Sequence, residues 1–178
     1  RIPLWMANWE LPLGTAANLQ MLWIPDLSYD ELAEVGTPFF VTSAQLVPDI
    51  GSALNVQLLE PEKPNNVWRD ADWGLKLSSL IGNWDVSVQY LYHYGDTPAF
   101  YSYQNDDLVT VVDPRYERTH LAGTTFSNTF SAFTVRAELA YKSDTFQISR
   151  ASDNDGIANS SEFSSVLGLD WQASSEVL

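Results

Sequence analysis

The chain alternates. From Trp84 to Tyr94, the residues Trp84, Val86, Val88, Tyr90, Tyr92 and Tyr94 fall on one side, and Asp85, Ser87, Gln89, Leu91 and His93 fall on the other. Strict period two is the mark of a strand with one apolar and one polar face. Four of the six residues on the apolar side are aromatic and gather toward its two ends. The preceding segment follows suit: Trp73, Leu75 and Leu77 oppose Asp72, Gly74, Lys76 and Ser78, and Leu80-Ile81-Gly82-Asn83 supplies a tight turn. Phe133, Val135, Ala137, Leu139 and Tyr141 alternate with Thr134, Arg136, Glu138, Ala140 and Lys142. Its partner, Thr119 to Phe126, is less regular. Leu121, Gly123 and Thr125 are assigned to the outward, apolar side and His120, Ala122 and Thr124 to the inward, polar side, with the turn near Ser127-Asn128-Thr129.

Three more segments obey the rule. Phe163, Ser165, Leu167, Leu169 and Trp171 oppose Ser164, Val166, Gly168 and Asp170. Trp5, Ala7, Trp9 and Leu11 oppose Met6, Asn8 and Glu10; Leu19, Met21 and Trp23 oppose Asn18, Gln20 and Leu22, with Pro12-Leu13-Gly14-Thr15 as the turn between them. Short turns near 12–17, 80–84 and 127–131 alternate with long links over about 27–68, 96–115 and 144–161. Short connections on one side and long ones on the other are the layout of an outer-membrane barrel, and a soluble sandwich has no reason to sort its loops so. The expected fold is all-β: an antiparallel up-and-down transmembrane β-barrel segment of about seven strands spanning residues 1–178, with long external loops. The alternation is already running at Leu4, and Ser174 to Leu178 reads as a turn entering another strand. The chain is therefore expected to be an internal piece of a longer protein or its only ordered part, and with seven strands at least one is expected to be missing or supplied elsewhere, because bacterial barrels carry an even number.

The first long link, 27–68, is unusually apolar. Ser28 to Gly36 reads as a short helix with a capping box. Beyond it come Phe39, Phe40, Leu46 and Val47, expected to pack at the barrel mouth or to narrow the lumen.

Composition narrows the picture. Charged residues make up 18% of the chain, and it carries seven Trp, eight Tyr and eight Phe, too much apolar surface for a disordered polypeptide. The net charge of −14 disfavours nucleic acid, whose phosphates need clustered cations. Cysteine is absent, which removes disulfides and thiolate metal sites. No apolar run approaches the roughly 20 residues of a membrane helix, whereas barrel strands need only half-apolar runs of about ten.

The segments PLWMANWELPLGTAANLQMLWIPD, ADWGLKLSSLIGNWDVSVQYLY, RYERTHLAGTTFSNTFSAFTVRAELAYK and EFSSVLGLDW together resemble a large family of proteobacterial outer-membrane proteins, catalogued as domain of unknown function 1302. The Trp-Ile-Pro-Asp and Arg-Ala-Glu-Leu-Ala-Tyr-Lys stretches are its less generic parts. The resemblance implies a Gram-negative outer membrane and transport of hydrophobic or aromatic compounds. It brings no catalytic residues to carry over.

Among candidate chemistry, Asp72, Lys76, Asp85, Arg118, His120, Arg136, Glu138, Lys142 and Asp170 are assigned to the polar faces, where they would line a lumen. They would either set a field for a solute or form a cross-strand ladder propping up the interior, Arg136 with Glu138 and Lys142 above all. The ladder is the favoured reading for most of them. Asp153, Asp155 and Glu162 partly match a calcium loop, but Ala151 holds the position where Asp is required. The stretch reads as an acidic external loop, with calcium shared with lipopolysaccharide as the alternative. His93 and His120 are the only histidines, and no nucleophile elbow accompanies them. Phe100, Tyr101 and Tyr103 could stack on a sugar or a hydrophobic solute, or pack among the loops.

The expected function is a porin-like channel or transporter for small hydrophobic or amphipathic compounds, without covalent chemistry and without a cofactor. Lipid and lipopolysaccharide are its expected surroundings, and a homo-oligomer is allowed. A soluble carbohydrate-binding sandwich, whose apolar face a second sheet would cover, and a barrel hydrolase are the alternatives.

Overall fold

A computed structural model describes residues 5–26, 29, 55–149 and 155–172. Among them there is no helix, and the strands are β1 (Ala7–Leu13), β2 (Ala17–Ile24), β3 (Val56–Leu58), β4 (Asp72–Ile81), β5 (Trp84–Tyr94), β6 (Ala99–Gln104), β7 (Thr110–Arg115), β8 (Arg118–Phe130), β9 (Phe133–Ile148) and β10 (Ile157–Trp171). Seven of them form one antiparallel sheet in the order β1-β2-β4-β5-β8-β9-β10, in which each strand lies beside the next long strand of the chain. These are the seven strands the alternation marks out. The sheet is open among the described residues: β1 and β10 each pair on one side only, and no closed barrel is formed.

The connections sort by side. At one end the chain reverses at 14–16, 82–83 and 131–132; at the other it runs through 25–71, 95–117 and 149–156. Gly82 has φ 63° while Asn83 keeps φ negative, the pattern of a type II′ hairpin, whose twist matches that of the strands. Ser131 holds the corresponding position with φ 54°. The reversal there is Ser131-Ala132, so Ser127, Asn128 and Thr129 belong to β8 and not to the turn expected for them.

Cross-strand partners in an antiparallel pair share a face, so the register sorts every side chain. Leu77 opposes Val88, Val88 opposes Thr124 and Thr124 opposes Leu139. On this apolar face Val88 is 57% and Leu167 79% exposed. Aromatic rows bracket it. At the end of the short turns, Trp84 meets Phe130 at 5.8 Å and Phe133 stacks on Trp171 at 6.2 Å. At the other end, Trp23 stands 6.2 Å from Trp73 and Tyr92 lies 4.7 Å from His120. Trp84 and Tyr92 are eight residues apart on β5, about 26 Å along an extended strand.

The same register corrects the reading of β8. His120 opposes Tyr92 and Ala122 opposes Tyr90, while Leu121 opposes Leu91. Arg118 and His120 therefore stand on the apolar, aromatic face, and Leu121, Gly123 and Thr125 on the polar one. Phe126 and Phe130, not Leu121, set the phase of this strand. A single leucine on a strand rich in Thr and Gly is too weak a marker, and a one-residue error exchanges every side chain between faces.

The long links are not bare loops. β6 pairs antiparallel with β7, and β3 lies parallel to β7, forming a second, three-stranded sheet. The link expected over 144–161 is largely strand: β9 and β10 rise above their neighbours as a ribbon, with a bulge between Ser160 and Glu162, and Ser102 N donates to Asp155 O at 2.7 Å. The well-buried apolar side chains gather in this cap rather than in the large sheet: Tyr101, Val111, Val112, Tyr116 and Ile157, the last only 1% exposed. Tyr101 donates to Glu117 Oε1 at 2.8 Å, and burial together with that carboxylate pushes its phenol up to about 12. Arg115 lies 4.5 Å over the Tyr101 ring. Tyr101 is thus a packing residue, whereas Tyr103 is exposed.

Arg118 ties the cap to the sheet. Its guanidinium lies 4.4 Å from the ring of Tyr92 and 4.1 Å from that of Tyr94, and it donates to the carbonyls of Arg69 and Ala71. Asp72, which accepts from Tyr94 N, stands 3.8 Å away.

Two outcomes follow from this geometry. In reversible urea unfolding, Gly82→Val should cost roughly 1–2 kcal/mol from backbone strain alone, and Ser131→Gly should stabilise by roughly 0.5–1 kcal/mol. Arg118→Ala should weaken the protection of amides 69–72 by roughly 2 kcal/mol, about thirtyfold in hydrogen exchange, while the β9–β10 ribbon keeps its own.

Candidate functional site: the polar wall of the sheet

The face opposite the aromatic rows is built in levels, one residue from each strand. The middle level runs Glu10, Gln20, Lys76, Gln89, Gly123 across β1, β2, β4, β5 and β8. Gln20 Nε2 donates to Asn8 Oδ1 at 3.1 Å, and Asn8 Nδ2 donates to Glu10 Oε1 at 3.3 Å. Gln89 leans the other way, over Gly123, where an added Cβ would lie 3.0 Å from its Nε2. One level nearer the short turns, Ser87 and Thr125 share a hydrogen bond of 2.7 Å. Such a wall satisfies its polar groups laterally and still offers amides and hydroxyls to water.

The expected lumen charges divide. Lys76, Asp85, Arg136, Glu138, Lys142 and Asp170 all stand on this wall; Arg118 and His120 do not, and Asp72 is drawn into the Arg118 clamp. The ladder is also different from the expected one. Arg136 meets Asp170 at 3.3 Å, and the register sets Lys142 across from Glu162 and Glu138 across from Thr125. The Arg136–Asp170 pair is diagonal: Arg136 lies directly opposite Gly168 and Asp170 opposite Thr134, and a long side chain bridges such neighbours, about 7–8 Å apart, across the two strands. Both members of the Arg136–Asp170 pair are well exposed, which keeps its stabilisation under about 1 kcal/mol.

One feature of the wall escaped the pattern of the sequence. On the level above Lys76, Leu22, Gly74, Leu91 and Leu121 stand in register on four adjacent strands. Leu22 and Leu91 lean toward each other over Gly74: a Cβ there would lie 3.3 Å from Leu22 Cβ and 3.4 Å from Leu91 Cδ1. The result is an apolar shelf on a polar face. Leu22 and Leu91 are off-phase apolar residues within otherwise polar half-strands, and that irregularity was the available signal.

The histidines bond locally. His93 Nδ1 pairs with the Tyr94 carbonyl at 2.7 Å, and His120 Nδ1 with Tyr90 Oη at 2.6 Å. His120 Nε2 is 4.0 Å from Asp144, which accepts from Ser143 and Asn159. Of the calcium candidates, Asp155 lies at the tip of the ribbon, Glu162 lies down β10 opposite Lys142, and Asp153 lies outside the described residues. Among the described residues no three His, Cys, Asp or Glu converge on one point. Phe39, Phe40, Leu46 and Val47, expected to form a constriction, also lie outside the described residues.

A polar cavity of about 540 Å³ opens beside the cap, lined by Glu62, Lys63, Asn65, Arg69, Asp70 and Tyr94. The Arg69 guanidinium beside Asp70 holds that carboxyl below the usual range.

Replacing Arg136 with Glu leaves the wall with one cation fewer and one anion more. The substitution removes the pair with Asp170 and sets three carboxylates together, and in equilibrium unfolding it should cost no more than about 1 kcal/mol; a larger loss would show that the pair holds β9 to β10.

No curated protein and no solved structure matches the chain. The model of the family described as "Protein of unknown function (DUF1302)" matches residues 1–171. The chain, with its two-faced sheet, is a member of that family.

Proposed function

We propose that this sheet is part of the wall of an outer-membrane β-barrel in a Gram-negative cell, and that the barrel conducts small hydrophobic or amphipathic compounds. The observation that carries the reading is the bare apolar face. Val88, Leu139, Leu167 and Leu169 remain substantially exposed between two aromatic rows, and the three-stranded sheet sits at the end of β9 and β10 rather than over them. A surface this apolar and this continuous is unfavourable in water. In hydrocarbon it costs nothing, and the aromatic rows fall where Trp and Tyr favour the lipid–water interface. The opposite face, polar and amide-rich, then borders an aqueous interior. A carbohydrate-binding sandwich would bury the same face beneath a second sheet, which is not what the described residues do.

The two faces should respond oppositely to charge. In lipid, Val88→Arg or Leu167→Arg should destabilise the folded protein by about 2–4 kcal/mol, and Ser164→Arg on the polar face by less than about 0.5 kcal/mol. Equilibrium unfolding from bilayers measures both. Equal, small effects at all three positions would sink the membrane reading.

A further inference from the structure

Lys76 stands beneath the leucine shelf with no ion-pair partner among the described residues. Both amides beside it are turned away: Gln20 toward Asn8 on β1, and Gln89 over Gly123 on β8. Gly74 lies two residues up the same face of β4, so the Lys76 backbone stands about 7 Å below the point where Leu22 and Leu91 meet, within the reach of its side chain. The other anion on its level, Glu10, is two strands away, about 10 Å, and accepts from Asn8. The cation at shelf level itself, Lys142 beside Leu121, lies across from Glu162. A cation unpaired among the described residues, at the foot of an apolar strip about 14 Å wide that spans four strands, makes a bipartite surface.

We propose that this surface is a binding subsite for anionic amphiphiles: the apolar body lies along Leu22, Leu91 and Leu121, and the carboxylate meets Lys76. This deepens the transport reading and rests on it for its role, though not for its test. A carboxylate here gains the charge-assisted contact that Lys76 lacks among the described residues. The apolar tail covers leucine surface that otherwise faces water. A neutral alcohol of the same length keeps the second contribution and loses the first. A short carboxylate keeps the first and loses the second.

The test is equilibrium dialysis of the intact protein in amphipol against radiolabelled decanoate, decanol and acetate. Decanoate should bind best and acetate not measurably. Lys76→Gln should weaken decanoate about tenfold and leave decanol unchanged. Leu91→Ser with Leu121→Ser should weaken decanoate and decanol alike. Lys76 is exposed, so its replacement does not endanger folding, and it decides the matter alone if the double variant fails to fold. Decanoate affinity unaffected by Lys76→Gln, or no decanoate bound by the wild type, overturns the proposal. Neither result touches the membrane reading, which stands or falls on the Val88→Arg comparison.

Discussion

Everything in this molecule depends on the cross-strand register of the large sheet. Each long strand pairs with the next along the chain, and at one end the reversals need only two or three residues. A two-residue turn leaves no slack: once Gly82 and Asn83 are placed, Ile81 must oppose Trp84, and each later pair follows in steps of one. Because side chains alternate, that single constraint decides which residues share the aromatic face and which share the polar one. The backbone amides of the inner strands β2, β4, β5, β8 and β9 are paired on both sides along the sheet, without calling on water.

The sequence carries the architecture unusually openly. Where six alternating positions are apolar, as from Trp84 to Tyr94, strand, faces and turn can all be read off, because a half-apolar strand has only one way to hide its greasy side. Where the alternation is diluted, reading fails. The Thr- and Gly-rich first half of β8 assigns neither face from its own composition; its phase comes from Phe126 and Phe130 further along the strand, and its neighbours agree, Tyr92 on one side and Tyr141 on the other. Arg118 and His120 were misplaced for that reason. The cap strands β3, β6 and β7 are short and belong to links whose composition shows no sustained period. The leucine shelf was hidden differently. Its members come from separate strands, each a lone exception to a polar pattern, and a row across strands is not visible along any one of them.

Arg118 shows how the two environments of the chain are joined. A cation on an apolar face would be expensive if left bare, but here two tyrosine rings cover it, two backbone carbonyls accept from Nη2, and Asp72 stands 3.8 Å from Nη1. The contacts reach back to the end of the first long link, so the base of the cap is fastened to the aromatic row by one side chain.

The location of the densest packing has a consequence of its own. Ile157, Val111, Val112 and Tyr101 form an ordinary water-excluding nucleus at one end of the sheet, while the sheet's own apolar side chains stay largely bare. On the membrane reading proposed above, the two regions obey different solvents: removal of lipid would strip the wall of its surroundings and leave the nucleus of the cap unchanged.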